Sequence, residues 1–146
     1  MFCELTDSEL VIEKIHDYIK DPSYATDGSV GIDIYCPKTV VFLPGRTTIV
    51  PLGIKCKFPK TLWGKLEAKS GLAVKNGLDF YAGVIDSDYR HEICAVLISH
   101  GEQPFTIEKG QKIIQMVMMP VIKPRLTIGQ IDDPTTRFGG FGSTGK

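Results

Sequence analysis

Short β-rich runs cut by glycine and proline constrain this chain more than any other feature. Residues 30–35, 38–43, 47–51, 54–58 and 62–68 are such runs, and 78–85, 92–99, 104–107 and 112–121 continue the series. The 15 Gly and 9 Pro fall mostly at or between their ends. Strands this short, with turn signals this frequent, predict an all-β sandwich, barrel or jelly roll. Pro44-Gly45 and Glu108-Lys109-Gly110 read as turns. The stretch 77–85 reads as two short strands about Tyr81-Ala82-Gly83, a hairpin with a glycine tip. Residues 10–19 match the strand and helix periods only in part. One helix is predicted over 71–76, with Ser70 as its N-cap and Gly77 just past its end.

A chain of 146 residues makes one domain, 1–146, that can bury a core without disulfides or metal. The stretch from about Asp132 onward is of low complexity and is expected to be a mobile flap. Seventeen Lys and Arg balance 17 Asp and Glu. This argues against a broad nucleic-acid or membrane footprint, yet leaves room for a small anionic ligand that needs only local charge. Cys3, Cys36, Cys56 and Cys94 lie far apart and read as reduced thiols. His16, His91 and His100 lack metal-ligand spacing. The N-terminus has no apolar leader core. The most apolar stretch, 113–122, is interrupted by Gln115 and Pro120 and is too short to span a bilayer. The expectation is a soluble intracellular enzyme, cytosolic, nuclear or virus-encoded.

Three segments carry candidate chemistry. The terminal Arg137-Phe138-Gly139-Gly140-Phe141-Gly142-Ser143-Thr144-Gly145-Lys146 mixes glycines, aromatics and cations. It reads either as a frayed terminus or as a flap. As a flap, its backbone N–H groups would wrap an anion and Phe141 would cover a base. Lys69-Ser70-Gly71 at a helix start reads as a phosphate seat or as an ordinary cap. Asp86-Ser87-Asp88-Tyr89-Arg90 follows an apolar strand and reads as a carboxylate centre that activates water, or as a polar turn. The sequence contains no Walker loop, HExxH or GxGxxG.

Five ordered segments together resemble the trimeric dUTPase family, from about Ala25 to Lys146. They are Ser29-Val30-Gly31-Ile32-Asp33-Ile34-Tyr35, Lys69-Ser70-Gly71-Leu72-Ala73 and Gly83-Val84-Ile85-Asp86-Ser87-Asp88-Tyr89-Arg90. Lys109-Gly110-Gln111-Lys112-Ile113-Ile114-Gln115 and Phe141-Gly142-Ser143-Thr144-Gly145 complete the set. The resemblance implies a jelly-roll-like β subunit in a homotrimer with sites at subunit interfaces. It also implies Mg2+-assisted hydrolysis of dUTP to dUMP and pyrophosphate. By position, Asp86 would orient the water that attacks the α-phosphate, and Tyr89 would pack under the deoxyribose. Backbone groups at Ala82 and Gly83 would read the uracil edge. Lys69, Ser70, Gly71 and Gln115 would hold phosphate oxygens. Phe141 would stack on uracil while Arg137, Gly142 and Ser143 close on the phosphates. Asp33 would support the site through water or the metal's hydration shell.

The chain departs from the family pattern in places. Lys69 stands where Arg is usual and lacks the bidentate fork. Arg137 lies four residues before Phe141 instead of five, and Phe138 replaces a small residue. His91 replaces a usual Gly, and Gln111-Lys112 a usual Asp-Arg. Two other readings stay open on these residues. A dCTP deaminase shares the fold, but its general-base Glu would fall near Val96. A catalytically reduced regulatory relative fits the changes at Lys69 and Arg137.

Overall fold

The computed structural model describes residues 8–132 together with 134 and 139. Within them the chain is antiparallel β with one short helix. The strands are β1 (Val11–Lys14), β2 (Ser23–Tyr24), β3 (Gly31–Tyr35), β4 (Val40–Phe42), β5 (Thr47–Pro51), β6 (Ile54–Lys57) and β7 (Leu62–Ala68). The helix α1 (Ser70–Asn76) follows. Then come β8 (Leu78–Tyr81), β9 (Val84–Ile85), β10 (Cys94–Ser99), β11 (Phe105–Ile107) and β12 (Lys112–Pro120). Thus the ambiguous 10–19 stretch supplies a strand, and β2 is one that the hydrophobic pattern does not mark.

The largest sheet runs β2-β3-β12-β7-β9, and a second runs β5-β10-β8. Strand β1 pairs β6, and β4 pairs β11. One continuous core joins them. Ile32, Ile34, Leu66, Ile114 and Met116 come from the larger sheet, and Val50, Leu78, Ala95 and Leu97 from the second. Burying each large aliphatic side chain contributes about 1.5–3 kcal/mol.

Alternation along the strands assigns their faces. Ile32 and Ile34 point into the core, so Gly31, Asp33 and Tyr35 lie on the opposite, outer face of β3. That face is covered as well, and all of β3 is buried. Gln115 of β12 pairs with Asp33 and with Glu67 of β7, and shares that face.

Two local expectations are corrected. Strands β8 and β9 do not form a hairpin. Strand β8 pairs β10 and β9 pairs β7, so the chain crosses from one sheet to the other between them. The turn uses two left-handed residues, Ala82 at φ 60° and Gly83 at φ 104°. The Leu66 N–H then donates to the Gly83 carbonyl at 2.8 Å, docking the crossing on β7. Nor is Ser70 the N-cap. Lys69 holds that position with extended backbone, no side chain caps the helix, and Ser70 is its first residue. The far end matches expectation: Gly77 is left-handed at φ 61°, and its N–H closes on the Ala73 carbonyl.

Candidate active site

The deepest electrostatic feature is Asp33, only 2 % exposed on the outer face of β3. An isolated buried carboxylate is costly, and here two ammonium groups compensate it. Lys69, just after β7, donates to Oδ1 at 2.5 Å. Lys112, at the start of β12, lies 2.6 Å from Oδ2. Burial alone pushes the Asp33 pKa up. The hydrogen bonds and charges of Lys112 and Lys69 outweigh it and hold the carboxyl below its usual value. The same carboxylate raises the pKa of Lys112, against a smaller opposing effect of desolvation.

Above this pair runs an open groove of about 600 Å³, lined by Lys69, Ser70, Gly71, Lys75 and Lys112 with Leu72 and Val74. Gln115 sits beside it. Its Nε2 donates to the Ala68 carbonyl at 2.9 Å, which fixes the carboxamide. Its Oε1 occupies the space a side chain at residue 31 would need, since a Cβ there would lie 2.1 Å away. A side chain at residue 31 would therefore push the carboxamide aside.

Asp86 lies elsewhere. It follows β9 at the other end of β7 and lines a pocket of about 190 Å³ with Trp63, Val84, Ser87, Asp88, Val121, Ile122 and Lys123. Its side chain is exposed. The turn that carries it is tightly tied. The Tyr89 N–H donates to the Asp86 carbonyl at 3.0 Å, and Arg90 Nη1 donates to the Ser87 and Tyr89 carbonyls. Tyr89 Oη donates to the Glu92 carbonyl at 3.0 Å. His91 meets the Tyr89 ring edge-on at 5.7 Å between centroids, a contact that glycine could not make.

The sequence-predicted residues therefore fall into two half-sites. Asp33, Lys69, Ser70, Gly71 and Gln115 gather at one end of β7. Asp86 and Tyr89, with Ala82 and Gly83 leading into their turn, gather toward the other. From Trp63 to Lys69 an extended strand runs about 20 Å. Arg137, Phe141, Gly142 and Ser143 lie outside the described residues. The sequence pattern assigns Lys112 no site role; only its place beside Asp33 reveals it. Val96 is half-buried within β10, paired with Tyr81 and Ile49.

The antiparallel β fold is shared with solved dUTPases. The chain superposes on the dUTPase of Staphylococcus bacteriophage 80alpha, determined as a point mutant with dUpNHpp. The TM-score is 0.83 at 21% identity, over 94% of this chain and 98% of that one. A mutant dUTPase from phage phi11 of S. aureus, studied for the coordination of a structural Mg(II) ion, matches with TM-score 0.77 at 19% identity. That match covers 86% of this chain and 97% of that one. The dUTPase family model matches residues 17–145, and the chain belongs to that family. Curated relatives agree. The deoxyuridine 5'-triphosphate nucleotidohydrolase of Clostridium tetani is 37% identical over 97% of this chain and 100% of its own length. That of Alkaliphilus metalliredigens is 39% identical over 92% and 95%.

Proposed function

We propose that the protein hydrolyses dUTP to dUMP and pyrophosphate, working as a homotrimer. The observation that carries this reading is the identity of 37% over 97% of the chain to an enzyme named for that reaction. The Asp86 carboxylate accepts a proton from a water. The water oxygen forms a bond to the α-phosphorus, the bond to the α–β bridging oxygen breaks, and pyrophosphate departs with that electron pair. The exposed Asp86 has access to such a water, and the tied turn holds it in place. Such chemistry rests on positioning and charge neutralisation more than on covalent help. Tyr89 packs against the sugar, and the backbone at Ala82 and Gly83 reads the base. Lys69, Ser70, Gly71 and Gln115 hold phosphate oxygens. Arg137, Phe141, Gly142 and Ser143 close over the ligand.

Two half-sites about 20 Å apart along one strand cannot grip one nucleotide between them. A second copy bringing its complementary half solves this. Val84, Ile122, Leu126, Ile128 and Ile131 are exposed apolar side chains of the kind that association covers. Mg2+ belongs to this reading as an ion carried by the triphosphate. The donor set does not fit a protein-held metal. Both Asp33 oxygens take lysines, and the described residues contain no group of three or more His, Cys, Asp or Glu around a common point. Magnesium favours phosphate oxygens and water over a protein cage.

Pyrophosphate release measured with dUTP, UTP, dCTP and dTTP tests the reading. Turnover restricted to dUTP, abolished by Asp86→Asn in a protein that still folds, is expected. Equal slow rates for the two proteins reject it. Ammonia release from dCTP would instead favour a deaminase.

A further inference from the structure

We propose that Lys112 is a phosphate-holding residue, paired with Lys69 across the Asp33 carboxylate and taking the pyrophosphate portion of the nucleotide. This rests on the hydrolase reading for its substrate but on independent geometry for its residues.

The first observation is a β-bulge. Gln115 faces outward, so strict alternation would turn Ile114 inward, Ile113 outward and Lys112 inward. The ladder shifts between Lys112 and Ile114 instead, with Lys112 opposite Tyr35 and Ile114 opposite Ile34. Ile113 and Ile114 are both 1% exposed, and Lys112 emerges on the face that carries Asp33 and Gln115. Bulges characteristically re-aim a side chain next to a site. Without this one, the Lys112 ammonium would point into the core.

The second observation is a charge surplus. One carboxylate cannot neutralise two ammonium groups, so the cluster keeps one positive charge over. Each ammonium carries three N–H donors. Lys69 donates one to Asp33 Oδ1, Lys112 contacts Oδ2 as an ion pair, and no other hydrogen bond of the two side chains is seen among the described residues. Both lysines line the groove with Ser70 and Gly71, and Lys75 adds a further cation. A rigid buried carboxylate thus fixes two point charges at a set spacing. Each lysine is a point charge, and the two together present adjacent donors. The complementary ligand is a pair of adjacent phosphate groups.

Calorimetric titration of the full-length oligomer with inorganic pyrophosphate, and separately with dUMP, tests this. Lys112→Gln is expected to weaken pyrophosphate binding about tenfold or more while dUMP affinity stays within about twofold. Lys112→Arg should restore most of the loss. Lys112→Met keeps the aliphatic stem and carries the same expectation as Gln, should Gln fold poorly. Unchanged pyrophosphate affinity overturns the proposal. So does equal weakening of both ligands, the mark of a merely structural residue, and so does failure of the unaltered protein to bind pyrophosphate at millimolar concentration. Turnover of dUTP by the same preparation separates the two readings. Lys112-dependent binding without turnover overturns the hydrolase reading alone, and turnover with Lys112-independent binding overturns this one alone.

Discussion

Replacing Gly83 with alanine tests how the Asp86 turn is held. Gly83 has φ 104°, outside the range that L residues favour, and its carbonyl accepts the Leu66 N–H. A left-handed backbone costs a Cβ-bearing residue about 1–2 kcal/mol. The added methyl would also lie 2.9 Å from Phe80 Cε2 and 3.1 Å from the Leu66 carbonyl oxygen. The ring can shift, but the carbonyl belongs to the strand on which the turn is docked. Overpacking of this kind costs about 1–3 kcal/mol. The restricted unfolded chain returns about 0.4–1 kcal/mol. The net expectation is a loss of about 1–4.5 kcal/mol, together with reduced dUTP turnover as the Asp86 turn moves. Gly45→Ala is the control, because Gly45 has φ 67° with nothing within 4 Å of its Cβ position. Urea denaturation at one fixed protein concentration reads both, since oligomer stability depends on concentration. Equal losses for the two variants would refute the steric argument. So would full activity in a Gly83→Ala protein.

Other expectations follow from single contacts. Gly31→Ala displaces the Gln115 carboxamide from the Ala68 carbonyl, so it should raise KM for dUTP several-fold with little loss of fold; steady-state kinetics beside circular dichroism decide this. Asp33 has a depressed folded pKa, so its stabilisation is complete above the unfolded value of about 3.9 and is lost as pH falls through the folded one. Between about pH 5 and about pH 2.5 the native protein should therefore lose more urea stability than Asp33→Asn, and parallel losses would contradict the ion-pair account. Burial pushes the Cys56 thiol up to about 11, whereas Cys94 is exposed. Burial and Glu92 raise the Cys94 thiol too, so in a Cys3→Ser background a thiol reagent at about pH 8 should label Cys94 slowly but in the folded protein, and Cys56 only on unfolding. Mass spectrometry locates the label.

Two departures from the family pattern have structural partners. Lys69 in place of arginine looks like a loss when judged alone. It nonetheless keeps a charge contact to Asp33, which it shares with Lys112. His91 in place of glycine likewise has a partner, the edge of Tyr89. The short tail before Phe141 has no structural counterpart among the described residues.

Local chemistry made much of the fold legible. Strands 47–51 and 62–68 match β5 and β7 end to end, because proline and glycine set their limits within the chain itself. The helix expected over 71–76 and its glycine stop follow from the same local chemistry, though its start falls one residue earlier, at Ser70. Tertiary structure alone decided which strands pair. The 78–85 stretch has the look of a hairpin, yet its halves belong to different sheets, because pairing depends on distant partners in β10 and β7. It alone decided that Lys112 faces Asp33, since one extra residue in a ladder inverts the phase of everything before it. Motif residues were legible as a set because chemistry constrains their types. Their division into two ends of one strand was not, because distance through a fold is fixed by packing and register, and neither is written in sequence spacing.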